Sequence, residues 1–129
     1  VNYAHMGGRS PLLPETVKQA EALEAALRER VGNVSFKCFP AMRYWYPLSK
    51  QVAKAVEGWG ATDAILLPLY PQFSSTTTAS SLAAWKRVSD LPSSTICCYP
   101  STKALAEAHA QAIMPAQPVF HARTRSAGA

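Results

Sequence analysis

The stretch Ala64-Ile65-Leu66-Leu67-Pro68-Leu69 is the most hydrophobic run in the 129-residue chain. A strand with one solvated face alternates apolar and polar side chains, whereas a strand buried on both faces is apolar almost throughout. This run therefore predicts a strand over residues 64–69 that is covered on both faces. Strands of that kind are typical of parallel sheets, so the run favours an α/β fold class built on a parallel sheet.

The segments on either side of this strand alternate between helical and extended patterns. Apolar residues at helical spacing, together with capping residues, predict four helices: residues 15–31, a helix from Ser49 to Gly58 or Gly60, a helix through Leu82, Trp85 and Val88, and a helix from Ser101 or Thr102 to Ile113. Runs of β-branched, aromatic and apolar residues predict two further strands, over residues 34–40 and 95–99. The order α-β-α-β-α-β-α predicts right-handed crossovers with helices on both faces of the sheet.

Composition and cysteine content narrow the class of protein. The chain is 48% hydrophobic and 16% charged, which is typical of a soluble globular domain. Its three cysteines form an odd set without C-x-x-C spacing, which argues against a disulfide framework or a zinc site and favours a reducing compartment. No apolar stretch approaches the roughly 20 residues of a membrane span, and no signal peptide is visible from Val1. We therefore expect a cytoplasmic location.

Basic residues are concentrated in one part of the chain. The formal net charge is +5, and no acidic residue occurs between Glu29 and Glu57. Five cationic residues lie in that interval: Arg30, Lys37, Arg43, Lys50 and Lys54. Their positive potential suits phosphate, carboxylate or nucleic acid, although a solvated basic face is the alternative. The five residues are spread over strand, loop and helix rather than along one stripe, which argues against nucleic acid as a partner.

Two of the segments that follow predicted strands are rich in aromatic residues. Parallel sheets bind ligands beyond the carboxyl ends of their strands. One segment that follows a predicted strand, residues 41–47, contains Arg43 with Tyr44, Trp45 and Tyr46. Another, residues 70–78, overlaps the Ser/Thr-rich stretch 74–81. Aromatic walls and a guanidinium suit a large planar anionic ligand, because rings stack on rings and arginine binds carboxylates bidentately. The alternative is that the aromatic residues only pack beneath a loop.

Three strings of residues resemble the ferrochelatase family of bacterial type in content, order and spacing. They are Tyr3 with Gly7-Gly8-Arg9-Ser10-Pro11-Leu12, then Ala41-Met42-Arg43-Tyr44-Trp45-Tyr46-Pro47, and then Leu67-Pro68-Leu69-Tyr70-Pro71-Gln72-Phe73-Ser74-Ser75-Thr76-Thr77-Thr78-Ala79-Ser80-Ser81-Leu82. The resemblance covers about residues 1–114 and implies a Rossmann-like chelatase fold of two similar halves. This chain resembles an N-terminal-half fragment, followed over residues 115–129 by a non-homologous or frame-shifted tail.

The resemblance implies both an activity and a set of binding residues. Ferrochelatases are metal chelatases, classed as lyases, that insert Fe(II) into protoporphyrin IX or coproporphyrin in haem biosynthesis. Positions matching the family's porphyrin contacts are Tyr3 and Ser10 near the entry lip, Arg43, Tyr44 and Tyr70 in the pocket wall, and Tyr99 in an aromatic-Pro step. Thr102 stands where many members of the family have histidine.

The sequence also departs from the family's catalytic pattern. The family's catalytic His, in a Ser-Ala-His-x-Leu-Pro motif, and its Glu partner have no match here, so we expect no catalytic or metal-binding residue in this chain and no activity of the chain alone. The alternative function is a truncated porphyrin-binding module without catalysis. Ser75 replaces the iron–sulfur cysteine of some animal enzymes, so the resemblance implies no iron–sulfur cluster and no required cofactor, with Fe(II) as substrate. It leaves open a peripheral membrane association, the preferred porphyrin and the oligomeric state.

Overall fold

The computed structural model describes Gly8 and residues 10–113 of the chain. In chain order, its elements are helix α1 (Leu12–Arg30), helix α2 (Ser49–Trp59), strand β1 (Ala64–Leu66), a π-helical turn (Ser75–Ala79), helix α3 (Ser80–Lys86), strand β2 (Ser93–Thr95) and helix α4 (Lys103–Ile113). All four predicted helices are present, with ends that differ by a few residues. Tyr3 and the predicted tail over residues 115–129 lie outside the described residues, so the division near residue 114 stays a prediction.

Strands β1 and β2 form a two-stranded parallel sheet, which confirms the predicted α/β class. Ala64 lies opposite Ser93, and Leu66 lies opposite Thr95. The Ile96 amide continues the pairing by donating to the Leu66 carbonyl oxygen at 3.0 Å. Beyond Leu66 the predicted strand is cut short, and Pro68 there has no amide hydrogen to donate to a ladder.

Helix α2 supplies most of the buried core. Val52, Ala53 and Val56 form its buried stripe and pack with Trp85 of α3. Ala64 and Leu66 of β1, which point to one face of the sheet, pack against this cluster. Ile65 points to the other face and is 61% exposed. The prediction that residues 64–69 are covered on both faces is therefore wrong for the described part of the chain.

The predicted strand over residues 34–40 is also wrong, because these residues have no partner strand within residues 10–113. A strand is defined by its backbone partners, and the Cys38 amide instead donates to the carboxylate of Glu24 on α1. The segment still packs through Phe39, whose ring meets Trp59 edge to face with centroids 6.3 Å apart. It leads the chain from the end of α1 to the loop described below.

The last predicted strand is displaced toward the N-terminus. It was expected over residues 95–99, whereas β2 ends at Thr95. Cys98 has a φ of +70°, in the left-handed region, which is incompatible with a continuing strand. Residues 97–99 therefore turn away from the sheet and lead to α4.

Candidate functional site

Residues 42–48 form a closed loop, here called the aromatic loop, directly before α2. Met42 and Leu48 pair in a single parallel bridge, and the Met42 amide donates to the Pro47 carbonyl oxygen at 2.8 Å. The Leu48 amide donates to Oε1 of Gln51, which anchors the end of the loop to the first turn of α2. The loop thereby displays its aromatic side chains to solvent: Tyr44 is 74% exposed and Trp45 69% exposed.

Arg43 and Tyr44 lie together near the N-terminal end of this loop. The guanidinium carbon of Arg43 is 4.7 Å from the centroid of the Tyr44 ring, a cation–π arrangement. Nε of Arg43 donates to Oγ of Ser80 at 3.2 Å, and the Tyr44 hydroxyl lies 3.5 Å from the Thr76 carbonyl oxygen. The structure therefore brings two predicted site residues together and fixes the arginine on two sides.

The π-helical turn holds the partners of Arg43 and Tyr44. The Ala79 amide donates to the Ser74 carbonyl oxygen at 3.0 Å, the i+5 spacing of a π-helix. Oγ of Ser80 donates to the Thr76 carbonyl oxygen at 2.7 Å, and the fully buried Thr78 directs its hydroxyl to the carbonyl oxygen of Gln72. Several hydroxyls of the Ser/Thr-rich stretch 74–81 therefore form hydrogen bonds within the turn itself. Single π-helical turns are uncommon and occur often at functional sites.

The other predicted site residues that the structure describes, Tyr99, Tyr70 and Ser10, lie in three different segments of the chain. The Tyr99 hydroxyl donates to the Pro68 carbonyl oxygen at 3.0 Å, and its amide donates to the Pro71 carbonyl oxygen at 3.0 Å, so Tyr99 holds together the segments that follow β1 and β2. Tyr70 lies in the first of these segments and is 46% exposed. Ser10 is exposed before α1, where its Oγ accepts from the Leu12 amide. Tyr3 lies outside the described residues.

Sequence reasoning missed Ser80 as the partner of Arg43. The two residues are 37 positions apart, and Ser80 belongs to a run of serines and threonines in which no member is distinguished by its spacing. Only the chain path from α2 through β1 to the π-helical turn places Ser80 beside the aromatic loop. No sequence signal in a single chain would have selected it.

Adjacent cysteines correct one expectation from the sequence. Cys97 and Cys98 are joined by a disulfide, whereas the odd cysteine count argued against such bonds. That argument concerned cross-links between distant segments, and a bond between neighbouring residues closes no such loop. Cys38 is free and half-buried.

Cys38 provides a test of the local electrostatics. Burial raises the pKa of its thiol, and the nearby Glu24 carboxylate raises this pKa further. Because the thiolate is the nucleophile, we expect iodoacetamide to alkylate Cys38 more slowly in the folded chain than in urea, with the folded rate increasing as pH rises. Glu24→Gln is expected to lower this pKa and accelerate the reaction, as measured by peptide mass spectrometry. An unchanged rate in Glu24→Gln would contradict the role of the carboxylate.

Gly8 and residues 10–113 contain neither a cluster of metal ligands nor a membrane-spanning helix. Within that part of the chain, no group of three or more His, Cys, Asp or Glu side chains is arranged to hold a metal ion. None of its helices is long and apolar enough to cross a membrane.

Comparisons with known proteins identify the family to which the chain belongs. The family model described as Ferrochelatase matches residues 1–125. The chain is 55% identical to a ferrochelatase of Phenylobacterium zucineum over 114 residues, which are 87% of this chain and 33% of that protein. It is 52% identical to the ferrochelatase of Hyphomonas neptunium over 117 residues, 89% of this chain and 33% of that protein. The chain spans about a third of the length of these curated relatives. By this match, which covers nearly its whole length, the chain belongs to the ferrochelatase family.

Proposed function

We propose that the chain provides part of the porphyrin-binding wall of a ferrochelatase, an enzyme that inserts Fe(II) into protoporphyrin IX or coproporphyrin during haem biosynthesis. Family membership supports this reaction class. The observation that carries the residue-level proposal is the placement of Arg43 between Tyr44 and Ser80. In this proposal Fe(II) is a substrate, no resident cofactor is required, and the protein acts in the cytoplasm.

Arg43 is suited to a carboxylate of the porphyrin. Arg43 is half-buried and its guanidinium is held by two neighbours, so little conformational entropy remains to be lost when a ligand binds. No described carboxylate lies within ion-pair distance of the Arg43 guanidinium. The ion pairs in this part of the chain involve Lys18, Arg28 and Lys103 instead. A charge that is both oriented and unpaired can form a bidentate bond to an incoming carboxylate.

The aromatic side chains are suited to the ring of the same ligand. Tyr44 and Trp45 present exposed surface at the aromatic loop, and Tyr70 presents exposed surface after β1. Stacking on a macrocycle would remove this apolar area from water. The proposed ligand contacts are therefore Arg43 for charge and the aromatic residues for the ring faces, with Tyr3, Ser10 and Tyr99 as further proposed contacts.

Binding and chemistry separate in this proposal. Metal insertion requires two pyrrole protons to be removed by a positioned base with a pKa near neutrality. The family's histidine and glutamate for that step have no match in this sequence. We therefore propose that the chain by itself binds porphyrin but does not metallate it, which agrees with the alternative of a porphyrin-binding module.

The test is a titration of the purified chain with a soluble dicarboxylate porphyrin, followed by tryptophan emission. We expect saturable quenching, reduced in Trp45→Phe because Trp45 is the exposed reporter in the aromatic loop. The affinity should change little between about 50 and about 200 mM salt, whereas binding through phosphate contacts would fall steeply over that range. Adding Fe(II) under reducing conditions should give no metalloporphyrin absorbance.

Two outcomes would contradict the proposal. The first is the absence of saturable quenching by a chain whose circular dichroism shows folded helices. The second is quenching that is linear in porphyrin concentration and identical in Trp45→Phe, because this would indicate collisional or nonspecific contact.

A further inference from the structure

A cleft of about 250 Å³ lies between the start of α2 and the end of α3, next to Arg43. Three cationic side chains line this basic cleft: Arg43, Lys50 and Arg87. Apolar side chains, Leu48 and Val88 among them, form the rest of its wall. The three cations come from three separate elements, so only the fold places them together.

The charge of the basic cleft is not neutralised by the described residues. No aspartate or glutamate lines it. None of the three cations takes part in an ion pair within residues 10–113. The sequence has no acidic residue between Glu29 and Glu57, so the polypeptide around Arg43 and Lys50 offers no local partner. Three like charges around one cleft repel one another.

Lys50 is also placed unfavourably for its own helix. It lies in the first turn of α2, which contains no acidic residue. The N-terminus of a helix carries partial positive charge and its first amides have no partner within the helix, so an anion is stabilising there and a lysine is not. A bound anion would relieve the repulsion between Lys50 and the helix and the repulsion among the three cations.

We propose that the basic cleft binds a multivalent oxyanion of the phosphate type, at a site that shares only Arg43 with the proposed porphyrin contacts. A single carboxylate would leave two of the three cations unneutralised, whereas a diphosphate carries enough charge and oxygen atoms for all three. Arginine provides paired donors to phosphate oxygens, and lysine provides a mobile point charge, which is a common combination in phosphate sites. The ligand is either free diphosphate or the diphosphate of a nucleotide.

The experiment is a titration of the ¹⁵N-labelled chain with inorganic pyrophosphate at constant ionic strength, observed by NMR. We expect saturable shifts at the Ser49 and Lys50 amides. Lys50→Gln and Arg87→Gln should each weaken binding about tenfold, the loss expected for a charged hydrogen bond. Lys54→Gln is the matched control, because Lys54 is exposed one turn further along α2 and does not line the cleft. All three substitutions are at exposed positions, so the variants should remain folded.

Further ligands identify the source of the phosphate group. Equal affinity for pyrophosphate and ADP indicates recognition of the diphosphate alone, and tighter binding of ADP indicates a nucleotide. Citrate binding as tightly as pyrophosphate would overturn the phosphate assignment. Shifts spread over all lysine and arginine residues, or wild-type affinity in Lys50→Gln and Arg87→Gln, would overturn the site itself. The porphyrin affinity of both variants should equal that of the wild type, so this proposal and the proposed function can fail separately.

Discussion

Arg43→Ala is expected to weaken binding of a dicarboxylate porphyrin by the chain at least about tenfold, the loss expected when a charged hydrogen bond is removed. The guanidinium is held at 4.7 Å from the Tyr44 ring centroid and at 3.2 Å from Oγ of Ser80, so the wild-type residue meets the ligand already oriented. The measurement is the dissociation constant from tryptophan quenching.

Two further variants separate charge from orientation. Ser80→Ala keeps the charge of Arg43 but removes its hydrogen-bond acceptor, so we expect a smaller loss of porphyrin affinity than in Arg43→Ala. Arg30→Ala removes an exposed arginine from the last turn of α1 and should leave the affinity unchanged. Equal affinity in Arg43→Ala and the wild type would show that no porphyrin carboxylate is bound by Arg43.

Trp85→Ala is expected to lower the free energy of unfolding by about 3–5 kcal/mol, the usual cost of truncating a buried aromatic side chain. Trp85 is 7% exposed and packs against the buried stripe of α2, in a core with few fully buried residues. Because folded domains are stable by only about 5–15 kcal/mol, this loss is a large fraction of the total stability. Urea denaturation followed by circular dichroism measures the change.

A conservative variant tests why Trp85 matters. Nε1 of Trp85 is buried and has no hydrogen-bond partner among the described residues. An unpaired buried donor costs about 1–3 kcal/mol, so Trp85→Phe should recover most of the stability by keeping apolar volume and removing that donor. Trp59→Ala, at an exposed position at the end of α2, should cost clearly less than Trp85→Ala. Equal losses in Trp59→Ala and Trp85→Ala would contradict the assignment of Trp85 to the core.

The aromatic loop shows where prediction from the sequence reached the candidate site. Arg43 and Tyr44 follow from two independent arguments, the position of residues 41–47 after an extended segment and the resemblance of the string around them to the ferrochelatase family. The predicted strand over residues 34–40 is absent from the structure, yet the loop that follows these residues still lies beside the π-helical turn. The resemblance of the string around Arg43 does not depend on that strand.

By itself, the sequence determined the features that depend on neighbouring residues. Helical periodicity and capping located α1 to α4, the stripe Val52, Ala53 and Val56 identified the buried face of α2, and the motif strings identified the family. Helix hydrogen bonds join residues four apart, so the information for a helix is contained within a few turns of chain.

Only the tertiary structure decided the features that depend on distant partners. A strand exists only where another strand supplies backbone groups, which is why residues 34–40 failed as a prediction and β1 and β2 were shortened. The bond from Arg43 to Ser80 and the meeting of Arg43, Lys50 and Arg87 in the basic cleft join separate elements. Such contacts are created by how the elements pack, and no periodicity along the chain encodes them.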